Sequence, residues 1–204
     1  MKSRTILAVL ALLPALFGAG TQQSGPPPEL VRAARGLFYA PSVRGDPDRL
    51  EAIVAEVYET AADHLLFTGS RAREATALLL YAVTYHESGM RPHIETCDCS
   101  HGDGDCDKGH AYGLPQLHAE HFPNHTTDEV CSDRRLQIRL AAQLLAGLRY
   151  RCSTGMEAAL GAWNSGDCQV NGVAASIYRV LESLLQRARI RVHVADSKWV
   201  ARRG

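Results

Sequence analysis

Between Ser70 and His86 the chain reads SRAREATALLLYAVTYH, and Ala75, Leu78, Leu79, Tyr81, Ala82 and Val83 spread apolar groups almost all round a helical period. A helix without a polar face has to be enclosed by other elements, so this segment demands a core built around it. The rest of the chain is patterned to supply that enclosure. The turn signal Gly45-Asp46-Pro47 introduces Leu50, Ile53, Val54, Val57 and Tyr58, spaced as one helical face. Helical spacing returns with Ile138, Ala141, Ala142, Leu145 and Leu148, then from Met156 to Trp163, and finally with Ile177, Leu181, Leu184, Leu185 and Ala188. Only the tail, where Ile190, Val192 and Val194 alternate, hints at a strand, and a single strand builds no sheet. The expected fold class is all-α.

The chain opens with Lys2 and Arg4, an apolar stretch from Ile6 to Phe17, and the small residues Gly18, Ala19 and Gly20. That order is the pattern of a secretory signal peptide over residues 1–20. The apolar stretch falls short of the roughly 20 residues that span a bilayer, and no later stretch approaches that length. An exported protein without a stable membrane anchor is expected. Thr21 to Pro28 reads TQQSGPPP, which packs no core, and residues 21–40 are assigned to a leader and linker. Residues 41–204 are expected to form one domain. Six cysteines behind a signal peptide, Cys97, Cys99, Cys106, Cys131, Cys152 and Cys168, imply an oxidising compartment and three disulfides. Their pairing stays open, because six cysteines allow 15 connectivities. With 22 basic and 22 acidic residues the formal charge is zero, so no global field draws the chain to nucleic acid or to an anionic membrane.

The chemistry begins at Glu87. A carboxylate at the end of an apolar helix is disfavoured as an anion by burial, and a general acid needs that bias. Its surroundings sharpen the reading. Glu87-Ser88-Gly89-Met90 is followed by Ala111-Tyr112-Gly113-Leu114-Pro115-Gln116-Leu117, and then by Ala159-Leu160-Gly161-Ala162-Trp163-Asn164-Ser165-Gly166. This ordered triple, from about Ala72 to Gly172, resembles the lytic transglycosylases of the lysozyme superfamily. Their segments are a Glu-Ser pair at a helix end, a Gly-Leu-Met-Gln run and an Ala-Tyr-Asn-x-Gly run.

The resemblance implies a helical lysozyme-like domain with a groove for peptidoglycan glycan strands, and it assigns Glu87 the protonation of the glycosidic oxygen. It implies that the same carboxylate then acts as base while a 1,6-anhydro ring closes on the muramyl sugar. A site with one essential carboxylate suits that chemistry, whereas hydrolases need a second carboxylate. Ser88 matches the serine of the pair, although its hydroxyl could equally satisfy a helix-end carbonyl. Tyr112, Gly113 and Gln116 fall in the second segment, where a residue without a side chain permits close sugar approach and an amide both donates and accepts. Trp163 and Asn164 fall in the third, as a groove-lining ring and an amide that fixes loop geometry. Trp163 replaces the usual tyrosine and Pro115 the usual methionine.

A larger departure is the inserted run RPHIETCDCSHGDGDCDKG from Arg91 to Gly109, which has neither helical nor strand period. It admits three readings. Asp107-Lys108-Gly109-His110-Ala111-Tyr112-Gly113-Leu114 is also similar to a stretch of goose-type lysozymes, which would make Asp107 a water-positioning carboxylate in a hydrolase. Asp103, Asp105 and Asp107 alternate like the opening of a calcium loop, although the glycine and glutamate of a regular EF-hand are missing. A disulfide-clamped solvated loop is the third. His101, His110, His118, His121 and His125 form no HExxH pair, and oxidised cysteines offer no thiolates, so they are expected at the surface or in the groove rather than on zinc. The rival to an enzyme is a non-catalytic glycan-binding module on the same fold.

Overall fold

The computed structural model describes residues 25–38, 46–101, 106–153 and 155–192. The expected signal peptide at 1–20, Asp103 and Asp105 of the insert, and Val194 of the tail lie outside these residues. The elements run α1 (Pro28–Phe38), α2 (Pro47–Thr60), α3 (Ala72–Ser88), the single turn α4 (Pro92–Glu95) and the turn α5 (Cys106–Gly109). The strands β1 (Ala111–Tyr112) and β2 (Leu117–His118) follow, then α6 (Thr127–Ser132), α7 (Arg134–Arg151), α8 (Met156–Ser165) and α9 (Gly172–Arg187). The fold is all-α, as expected, with three disulfides.

α3 is the axis of the domain and packs against α1, α2, α7 and α9, while α8 lies against α7 and α9. Every residue from Ala75 to Thr84 is buried, as its uninterrupted apolar surface requires. The hydroxyls inside this helix are satisfied locally. Thr76 Oγ1 accepts the Leu66 N–H at 2.9 Å, Thr84 donates to the Leu80 carbonyl at 2.7 Å, and Ser88 donates to the Thr84 carbonyl at 2.8 Å. The helix stops at Gly89, which takes the left-handed φ of 58° that glycine tolerates and donates its N–H to the Tyr85 carbonyl. α2 starts as its turn signal predicts, with the Asp46 carboxylate accepting the Asp48 N–H and Pro47 in the first turn.

Two sequence expectations change. The segment assigned to a linker up to residue 40 is helical over Pro28–Phe38, and Leu30, Ala33 and Ala34 are fully buried in the main core. Their i, i+3, i+4 spacing makes a face too short to stand out beside the proline-rich run. The tail hint of a strand is not met over residues 190–192, where Ile190 is buried and its N–H donates to the Leu185 carbonyl at the end of α9. The strand pair forms elsewhere, as β1 and β2, with Ala111 opposite His118 and Tyr112 opposite Leu117.

The cysteines pair as Cys97–Cys131, Cys99–Cys106 and Cys152–Cys168. The first two clamp the inserted segment to α6 and to itself, and the third joins the end of α7 to the loop after α8. Ionic contacts hold the chain as it leaves α3. Arg49 donates to the Met90 carbonyl at 2.8 Å and pairs with Glu95, and Arg134 on α7 bridges Glu56 at 2.6 Å and Glu95 at 3.0 Å. These ions are mostly buried, and each arginine has several acceptors, the condition under which buried charge is tolerated.

Candidate active site

Glu87 occupies the last turn of α3 with its side chain about 20% exposed. Its Oε1 accepts the indole N–H of Trp163 on α8 at 3.1 Å, and His86 Nδ1 stands 3.8 Å from the same oxygen. Two surface depressions share Glu87. One of about 460 Å³ is lined by Glu87, Asp107, Ala111, Gln116, His118, His121, Trp163 and Asn164. The other, of about 580 Å³, is lined by Tyr85, His86, Glu87, Ser88, Gly89, Arg91, Ser176 and Val180. Together they make a groove with the carboxylate at the junction of its two halves.

Glycine and disulfide chemistry position the Trp163 side. A Cβ at Gly161 would lie 1.9 Å from the Gln169 carbonyl oxygen, so only glycine lets the returning chain cross α8 there. Cys152–Cys168 pins that return. Asn171 then caps α9 by accepting the Ala174 N–H at 2.9 Å, while its amide N–H reaches Asn164 Oδ1 at 3.3 Å. Asn164 lines the groove and also touches the loop beside it.

The opposite wall is built on Gln137 of α7, which is fully buried. Its Oε1 accepts the Leu114 N–H at 2.9 Å, and its Nε2 donates to the carbonyls of Glu95 and Val130 at 2.8 Å each. Gly113 is buried against it with φ at 68°, and a Cβ there would lie 2.3 Å from Gln137 Cδ. The turn and the packing of Gln137 thus require glycine at this position. Gln116, also at positive φ, folds its amide back onto the Gly113 carbonyl at 2.9 Å and faces the groove.

Of the residues named from sequence, the structure brings Glu87, Asp107, Gln116, Trp163 and Asn164 into one depression. Asp107 sits on a left-handed turn with its side chain 65% exposed and its Oδ2 3.9 Å from His118 Nε2. Ser88 borders the other depression, but its hydroxyl donates to the Thr84 carbonyl and accepts the Met90 N–H at 3.2 Å, the helix-end role. Tyr112 packs edge-on against Phe122, ring centroids 5.8 Å apart, in a second apolar cluster with Leu117 and Val130, and lines neither depression. Sequence reasoning missed His86, because adjacent helix positions normally diverge. The groove also holds His118 and His121 from the histidine set. His121 Nδ1 faces the His118 N–H at 3.3 Å, and burial lowers its pKa, so a neutral ring presents its proton on Nε2.

Among the described residues, no three His, Cys, Asp or Glu side chains are grouped to hold a metal ion, and every cysteine is in a disulfide. The calcium reading depends on Asp103 and Asp105, outside the described residues.

A helical domain with an acidic side chain lining two adjoining open depressions has the build of a lysozyme-like glycan-cleaving domain. The family model of the transglycosylase SLT domain matches residues 65–183, and the chain belongs to that family. Neither a curated protein nor a solved structure matches it. The match covers α3 with Glu87, both groove walls and α8 with Trp163. At the level of the family this is transglycosylase-type cleavage of peptidoglycan glycan.

Proposed function

We propose that the chain is a peptidoglycan lytic transglycosylase that cleaves the β-1,4 bond between N-acetylmuramic acid and N-acetylglucosamine and leaves a 1,6-anhydro-muramyl end. The observation that carries this is the Glu87 carboxylate, shared by both halves of the groove and held through Oε1 by Trp163. With Oε1 occupied, Oε2 is the oxygen that carries the acidic proton. Glu87 gives that proton to the glycosidic oxygen as the C1–O4 bond breaks, and the acetamido group of the same sugar supports C1. The carboxylate then takes the proton of the muramyl 6-hydroxyl as its oxygen closes on C1. One proton leaves and one returns, and no water is consumed.

Asp107 supports a second reading, a goose-type-like hydrolase, because it lines the same depression as Glu87. An inverting hydrolase holds two carboxyl groups roughly 6.5–9.5 Å apart around a water. The exposure of Asp107 and its position beside His118 favour a rim residue over a water-activating base. The surroundings fit an exported protein, periplasmic or extracellular. Three disulfides belong to an oxidising compartment, and no helix among the described residues is long and apolar enough to cross a membrane.

Mass spectrometry of soluble products from purified peptidoglycan tests the proposal, with wild type beside Glu87→Gln under oxidising conditions. Anhydro-muramyl ends that vanish in the variant are expected. Reducing ends would transfer the assignment to a hydrolase, and no product from a folded wild type would leave a glycan-binding module.

A further inference from the structure

His86 Nδ1 is buried and has no hydrogen-bond partner among the described residues, although it stands 3.8 Å from Glu87 Oε1. Buried polar atoms in proteins are nearly always paired, so an orphan nitrogen beside a reacting carboxylate calls for a role. We propose that His86 is a positioning residue for Glu87, whose Nδ1–H closes onto Oε1 as the carboxyl group ionises.

The inference rests on Glu87 being the acid. A carboxylate oxygen offers two lone-pair directions. On Oε1 one of them receives the Trp163 N–H at 3.1 Å, and His86 stands within reach of the other after a movement of about 1 Å. In the protonated acid the second donor gains little. As the proton moves to the glycosidic oxygen, full negative charge develops on a carboxylate that is only 20% exposed, and the His86 contact becomes a charge-assisted hydrogen bond. Both donors converge on Oε1, which leaves Oε2 free to exchange protons with the substrate. Because the contact strengthens only during proton donation, its loss lowers kcat and leaves KM nearly unchanged.

The choice of substitutions tests the atom rather than the residue. An asparagine side chain places its amide nitrogen where histidine has Nδ1, a glutamine reaches the Nε2 position, and phenylalanine keeps the ring shape without either nitrogen. On soluble glycan strands, His86→Phe is expected to lose about tenfold in kcat, the size of one hydrogen bond to a charged group. His86→Asn recovers most of that loss and His86→Gln does not. Full activity in His86→Phe, or equal loss in the Asn and Gln variants at unchanged thermal midpoints, overturns the proposal. A substrate-free reading comes from long-range proton–nitrogen NMR of the neutral imidazole in wild type. The proton is expected on Nδ1, and its presence on Nε2 alone overturns the proposal whatever the kinetics. If wild type releases no glycan product, the function proposed for Glu87 falls, while the NMR still decides whether the pair exists.

Discussion

Trp163 and Glu87 are 76 positions apart in sequence, and the indole Nε1 and carboxylate Oε1 meet at 3.1 Å. The contact ties α8 to the last turn of α3, and the ring both lines the groove and donates to the Glu87 carboxylate. Trp163→Phe removes the donor and keeps a face. We expect kcat to fall about tenfold with KM changed by less than about threefold. Trp163→Ala should raise KM as well, since it also removes the apolar wall. Steady-state release of muropeptides from soluble glycan separates the two effects. Equal KM increases in both variants would assign the indole to binding alone.

Gly113 and Gln137 should behave as one unit. Gly113→Ala puts a methyl group against the Gln137 amide and forces a non-glycine residue to a φ of 68°, at a cost of about 2–4 kcal/mol. Gln137→Leu deprives the Leu114 N–H and the Glu95 and Val130 carbonyls of their partner, at about 2–4 kcal/mol. Urea midpoints measure both. Because the two residues touch, the double variant should be less destabilised than the sum of the single ones.

The three disulfides should differ in weight. They close spans of 34, 7 and 16 residues at Cys97–Cys131, Cys99–Cys106 and Cys152–Cys168. Chain entropy assigns them about 4, 2 and 3 kcal/mol respectively. Paired Cys→Ser variants under oxidising conditions, compared by denaturant midpoint, should follow that order. Loss of Cys99–Cys106 should lower activity more than stability, because that bridge holds the turn carrying Asp107 at the groove.

Burial lowers the pKa of His121 in the folded state, so the unfolded chain takes up that proton first as pH falls. The neutral ring therefore contributes stability above the ordinary histidine pKa of about 6.5, and this contribution is lost from there down to the lowered folded value. His121→Gln should flatten the pH dependence of the denaturant midpoint as pH falls below the ordinary histidine pKa of about 6.5. A curve parallel to wild type would assign that dependence to other groups.

Read from sequence alone, the all-α class, the central helix over Ala72–Ser88, the faces of α2, α7 and α9, and the place of Glu87 at the end of that helix were all legible. Each rests on local information, such as a 3.6-residue period, a capping aspartate or the order of short motifs along the chain. Partnerships between distant residues were not legible. Six cysteines left their pairing open, because the sequence carries no distances. The packing of Gly113 against Gln137, 24 positions further on, carried no sequence signal. The Ser88 hydroxyl bonds at the helix end, Tyr112 packs partly buried against Phe122, and α1 belongs to the domain rather than to its leader. Packing decided each of these, since α3 had to be covered on every side and the helices that cover it determine which side chains reach Glu87.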